Sequence, residues 1–127
     1  NPDLEDITAS FAEGFFLVAR KDGRLVGAGG LLPTSEAATW QIVRMSVAAD
    51  LRHAGLGRQI LEALEHQARQ RGARRLILET TATWRDVVDF YLRCGYRIQP
   101  EFSPGIPVSE TQESVRIPED VYFEKWL

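Results

Sequence analysis

Arg52-His53-Ala54-Gly55-Leu56-Gly57 is the stretch on which the fold turns, because of what flanks it. An apolar, strand-like segment, Trp40 to Val47, comes before it, and an amphipathic helical pattern, Arg58 to Arg71, comes after. A strand that runs into a glycine-bearing turn and then opens a helix aims several backbone N–H groups at one place. That place is the positive end of the helix dipole and suits a phosphate. The glycines let the backbone approach an anion closely, and Arg52 adds charge. The stretch therefore reads as a site for a pyrophosphate-bearing cofactor. The alternative is a tight strand-to-helix turn and nothing more.

Two common phosphate motifs do not fit. A dinucleotide fingerprint needs a third glycine, and Gln59 and Ile60 follow Gly57 instead. A P-loop needs Gly-Lys-Ser/Thr at the end of the loop, which is absent. A phosphate cradle of a third kind remains.

Its context is more specific. Arg44-Met45-Ser46-Val47 leading into Arg52-His53-Ala54-Gly55-Leu56-Gly57 resembles the acetyl-CoA signature of the GCN5-related N-acetyltransferase (GNAT) superfamily. Downstream, Phe90-Tyr91-Leu92-Arg93-Cys94-Gly95-Tyr96 is similar to the family's aromatic-Tyr-x-x-x-Gly-aromatic element. Two motifs in the right order and at the right separation say more than either alone. The resemblance runs from about Phe15 to Leu127. It implies a GNAT fold, an α/β (α+β) arrangement with a mixed, mostly antiparallel sheet, splayed central parallel strands and flanking helices.

Composition sets the frame. The chain of 127 residues is one domain's worth, 44% hydrophobic and 26% charged, as in ordinary soluble proteins. No apolar run approaches the roughly 20 residues of a membrane span. The net charge of −3 argues against nucleic-acid binding. A single cysteine, Cys94, excludes an internal disulfide and fits a reducing, cytoplasmic compartment. With two histidines beside it, widely spaced, no zinc site is expected. Arg69, Arg71, Arg74 and Arg75 gather charge locally, either as a solvated helix end or as a contact to an outer phosphate.

Along the chain, Asn1 to Ala12 reads as the tail of a helix, with Leu4, Ile7 and Phe11 at helical spacing. Phe15 to Arg20 and Arg24 to Leu32 are strands joined by the hairpin signal Asp22-Gly23. A looser connection, Pro33 to Ala38, leads to a strand from Thr39 to about Ala48. The helix after the glycine turn has Ile60, Leu61, Leu64 and Ala68 on one face and Arg58, Glu62, Glu65 and Arg69 on the other. Gly72 caps it. Arg75 to Thr80 is a strand. Trp84 to Arg93 is a helix capped by Thr83, with Trp84, Val87, Val88, Tyr91 and Leu92 inward and Gly95 at its end. Tyr96 to Gln99 is a short strand, Pro100 to Pro118 a loop, and Val121 to Trp126 the last strand. This is the GNAT order with the first strand and most of the first helix absent, so the chain is either trimmed or naturally short.

The resemblance also implies a site. Acetyl-CoA is the expected co-substrate, with no metal. Its arm would lie between the strand of Met45 to Val47 and that of Leu76 to Thr80. The backbone of Met45, Ser46 and Val47 would pair with the arm's amides, and Arg52, His53, Ala54, Gly55, Leu56, Gly57 and Arg58 would hold its phosphates. Tyr91 matches the family's general acid, which protonates the departing sulfur; alternatively it only packs on the sheet. Glu79, at the end of its strand, is the candidate base, or else a surface carboxylate. Trp84 and Val87 stand where many members have Asn and Ala. The acceptor would be a small amine, an amino acid or a peptide, with a homodimer as one expected assembly. Against this enzyme stands a non-catalytic acyl-CoA-binding or sensing module.

Overall fold

The computed structural model describes residues 3–7, 14–52, 54–81, 85–99 and 120–127. His53, the cap at Thr83, Trp84 and the loop from Pro100 to Pro118 lie outside the described residues. The chain forms two compact units, Asn1–Leu76 with Trp126–Leu127, and Ile77–Lys125.

In the first unit, four strands follow one another in antiparallel order: β1 (Asp3–Ile7), β2 (Phe15–Lys21), β3 (Arg24–Pro33) and β4 (Thr39–Val47). Of the helix expected over Asn1 to Ala12, the described residues Asp3–Ile7 are a strand, and residues 1–2 and 8–12 lie outside the described residues. Asp3 to Ile7 instead pair with Phe16 to Arg20 as an edge strand, so the first strand expected to be absent has its place filled. Spacing misleads here because Leu4 and Ile7 are too few apolar residues to define a period, and an adjacent strand edge supplies hydrogen bonds at every second residue.

The Asp22-Gly23 hairpin forms as expected, with φ of 52° and 78°. Helix α1 (Leu56–Gln70) packs on this meander, burying Leu56, Ile60, Leu61, Leu64 and Ala68. The glycines of β3 let it come close. A Cβ at Gly27 would lie 2.7 Å from Ile60 Cδ1, and one at Gly29 would lie 2.9 Å from Leu64 Cδ1. Glu65 departs from expectation. It is buried rather than on the polar face, since it falls four residues after Leu61 and three before Ala68.

Past α1, Arg74 and Arg75 N–H donate to the Ala38 carbonyl, at 2.8 and 3.2 Å. The basic cluster is spent on structure in part. Arg71 stacks over Phe15 at 4.7 Å, and Arg75 stacks over Trp126 at 5.7 Å while pairing with Glu36 at 3.1 Å.

β5 (Arg75–Thr81) runs into the second unit, which holds α2 (Arg85–Arg93), β6 (Arg97–Ile98) and most of β7 (Asp120–Trp126). Its strand order is β5-β7-β6, with β6 and β7 antiparallel. Gly95, at φ 95°, ends α2 in the left-handed conformation, as its position after the helix requires. Of the expected inner stripe, Tyr91 is buried and Val87 and Val88 are half-buried. Leu92 points outward instead, 43% exposed.

Candidate functional site

The turn between β4 and α1 is built from backbone hydrogen bonds. Ala48 N–H donates to Val26 O at 2.8 Å, tying the end of β4 to β3. A single 3-10 turn, Ala49–Leu51, follows, and Ala54 N–H then donates to Leu51 O at 3.3 Å. Arg24 fixes the outside of this turn through a 2.8 Å ion pair with Asp50, whose carboxyl it holds below the ordinary value. Gly55 is the N-cap of α1 at φ 88°, a left-handed conformation that side chains rarely adopt, with open space where a Cβ would go. Gln59 N–H donates to Gly55 O at 3.1 Å, and the N-cap glycine has no side chain to cap the helix. The N–H groups of Leu56 and Gly57, in the first turn, therefore have no intrahelical carbonyl to meet.

That arrangement fits a pyrophosphate. Donors converge at a dipole end, no Cβ blocks the approach, and two exposed arginines flank it. Arg52 Nε donates to Val47 O at 3.4 Å, which folds its side chain back toward β4. Arg58 lies 4.0 Å from Glu62, one turn on. The helix starts two residues earlier than the sequence suggested. Of the two glycines, only Gly55 needs its special backbone; Gly57 is an ordinary helical residue.

β4 carries a feature that the sequence did not reveal. Ala28 pairs with Ser46 and Gly30 with Val43, so β4 spends one residue more than β3 across this interval. The extra length is a bulge at Arg44, which has φ of 57°. Only glycine, asparagine or aspartate would have signalled such a conformation in advance. The bulge directly precedes Met45, Ser46 and Val47. Met45 turns its sulfur toward α1, where a Cβ at Gly29 would lie 2.9 Å from it, and Ser46 faces the opposite side and is exposed.

In the second unit, Tyr91 lies on α2 with 5% exposure. Its ring meets Phe90, Tyr96 and Phe123 at centroid distances of 5.1, 5.8 and 5.6 Å. Burial, and then the nearby Cys94 thiol, push its phenol up to about 12. Cys94 is buried and in no disulfide, and its carbonyl accepts from Lys125 Nζ at 3.0 Å.

Glu79, on β5, is exposed and hydrogen-bonds Asp120 at the start of β7. Partial burial and then the like charge of Asp120 raise its carboxyl above the ordinary value, the hydrogen bond adding to this. Tyr122 faces the same pair and is raised as well, by desolvation first and then by Glu79 and Asp120. Asp120 and Tyr122 had no sequence motif to mark them; only the strand pairing brings them to Glu79. The structure thus assembles Met45 to Val47 with Arg52 to Arg58, and Glu79 with Asp120 and Tyr122, while Tyr91 sits in its own aromatic cluster. Among the described residues, no three His, Cys, Asp or Glu side chains gather as a metal site would need. Among the same residues, no helix is long and apolar enough to cross a membrane.

Known proteins resemble this chain in sequence and in fold. The chain is 34% identical over 92 residues to an IAA acetyltransferase of Azospirillum brasilense, a match covering 72% of this chain and 60% of that protein. It is 33% identical over 99 residues to a probable N-acetyltransferase camello of Xenopus tropicalis, covering 75% of this chain and 45% of that one. The chain thus spans about half the length of such relatives. Among solved structures, an IAA acetyltransferase from Bacillus cereus superposes with a TM-score of 0.77 at 21% identity, covering 100% of both chains. A GNAT family acetyltransferase from Elizabethkingia anophelis, with acetyl-CoA bound, gives 0.77 at 17% identity, covering 100% of this chain and 99% of that one. These likenesses bear out the fold expected from the two motifs, a mixed sheet with flanking helices. Residues 1–96 match the model of the acetyltransferase (GNAT) family, and the chain belongs to that family.

Proposed function

We propose that this chain is an N-acetyltransferase that moves an acetyl group from acetyl-CoA to a primary amine by direct attack. The observation that carries this reading is the uncapped start of α1 at Gly55, where Leu56 and Gly57 present N–H groups between Arg52 and Arg58. Bound there, acetyl-CoA supplies an activated thioester. The phosphates are held by the backbone of residues 54–58 and by the two arginines. The backbone of Met45, Ser46 and Val47 orients the arm, and an amide at Val47 polarises the thioester carbonyl, an effect worth a few kcal/mol.

Two side chains handle protons. An alkyl ammonium with pKa near 10.4 is only about one part in a thousand neutral at pH 7, so a base is needed. Glu79, its basicity raised by burial and Asp120, takes that proton directly or through water. Tyr91, raised to about 12, keeps its proton throughout the working pH range and serves as donor to the departing sulfur. Complete transfer from such a phenol to a thiolate whose acid has a pKa of about 8.5 is uphill by roughly 5 kcal/mol. Tyr91 therefore stabilises the thiolate chiefly by hydrogen bonding, and solvent completes the protonation.

Thiol release from acetyl-CoA, followed across a panel of primary amines, tests the proposal. Amine-dependent release at catalytic protein concentration is expected. CoA binding without release across the panel would assign the chain to acyl-CoA sensing instead.

A further inference from the structure

Arg44 is one of three non-glycine residues at positive φ among those described, with Asp22 and Ala38. Asp22 and Ala38 sit in turns, whereas Arg44 lies inside a strand. A left-handed conformation strains an arginine where glycine would adopt it freely. The bulge does something specific with that strain, because it re-aims a side chain. It carries the Arg44 guanidinium to the sheet face opposite α1, 6.0 Å over the ring of Phe16. Phe16 is itself seated on Gly30, where a Cβ would come 2.3 Å from the ring, and Gly30 pairs with Val43. By register, Leu32, Gln41, Val43 and Ser46 share this face with Phe16, and Phe16, Leu32 and Val43 are half-buried apolar residues on it. Among the described residues, no carboxylate oxygen lies within 4.0 Å of Arg44.

A planar cation on an apolar floor, with its five donors uncommitted to a carboxylate, is complementary to one chemistry. It pairs an anionic, planar, two-oxygen group bidentately while the rest of the ligand lies on the apolar surface. Its place in the chain gives that match a purpose. Arg44 is three residues from Val47, about 10 Å along a strand, and Met45 to Val47 are the residues proposed to hold the acyl arm.

We propose that Arg44 selects the acceptor, binding the carboxylate of an amino-acid-like amine whose apolar part lies on Phe16, Leu32 and Val43. This rests on the acetyl-transfer reading and names its substrate class. The test compares free L-amino acids with their carboxamides as acceptors, in wild type and in Arg44→Gly, Arg44→Gln and Arg44→Lys. The glycine variant removes the guanidinium while suiting the backbone, so loss of folding does not confuse the result. Wild type is expected to favour the free acid of its best acceptor over the amide by ten- to a hundredfold in kcat/KM. Arg44→Gly and Arg44→Gln should erase that preference with the CoA dissociation constant unchanged, and Arg44→Lys should keep part of it. Equal use of acid and amide by wild type, or a preference that survives in Arg44→Gly, would overturn the assignment. If no amine is acetylated, the acetyl-transfer reading fails, and calorimetry on CoA-loaded protein decides about Arg44. Binding of a free amino acid weakened at least tenfold in Arg44→Gly supports it; unweakened binding, or none by any free acid, refutes it.

Discussion

Tyr91 shows how one environment fixes what a side chain can do. Held among Phe90, Tyr96 and Phe123, its phenol is deprived of solvent and cannot ionise near neutral pH. It can donate a hydrogen bond but cannot act as a base. Tyr91→Phe keeps the packing and should leave CoA affinity unchanged, while turnover falls by roughly a hundredfold, toward the lower end for a lost general acid. An acyl donor with a better leaving group should shrink that deficit. Turnover equal to wild type, measured where chemistry limits the rate, would reduce Tyr91 to a packing residue. Legibility differs sharply between single residues. Tyr91 can be picked out because its motif is local in sequence. Arg44 can be named but not understood, since arginine carries no sign of a left-handed backbone and the bulge exists only in the pairing of β3 with β4.

Elements depend on neighbours in ways a pattern captures only when one face decides the pairing. The helix α1 is legible because four of its residues pack on one side, and the hairpin at Asp22-Gly23 because its turn chemistry is local. The edge strand β1 escapes such a reading because its partner residues lie nine to seventeen positions away. The closeness of α1 to β3 yields a stability prediction. Gly27→Ala would place a methyl 2.7 Å from the fully buried Ile60 Cδ1 and 3.1 Å from the Ser46 carbonyl, neither free to retreat. A net loss of about 1–3 kcal/mol is expected in denaturant unfolding, as for an overpacked core. An unchanged midpoint would mean that α1 sits farther out. Between β5 and β7, desolvation first and the like charge of Asp120 second raise Glu79, so its carboxyl favours binding a proton. Folding stability from this pair is present at low pH and is lost as pH rises through Glu79's raised value. If Glu79 is the base, activity rises with pH through that same range. Asp120→Asn, which removes the like charge, should move the acidic limb of kcat/KM to lower pH. A limb that stays in place would separate Glu79 from the chemistry.

At the scale of the whole molecule, the Arg52–Arg58 turn is proposed to take the pyrophosphate of acetyl-CoA. The general character of the fold is readable in the sequence because two motifs in a fixed order imply the elements between them. The face that carries Arg44 is not, since it is brought together from β2, β3 and β4. The turn itself offers the most direct test, because the molecule contains its own control. Gly23 and Gly55 both adopt left-handed backbones, at φ 78° and 88°, and at neither would an added Cβ meet an atom within 4 Å. Valine at either site therefore imposes a similar backbone strain, but only Gly55 opens α1. The decisive measurement is acetyl-CoA titration by calorimetry of wild type, Gly23→Val and Gly55→Val, each shown to be folded by circular dichroism. Binding by Gly23→Val at wild-type affinity, with a loss of at least tenfold in Gly55→Val, is the expected result. Equal affinity in all three would contradict the assignment of the turn to the cofactor's phosphates.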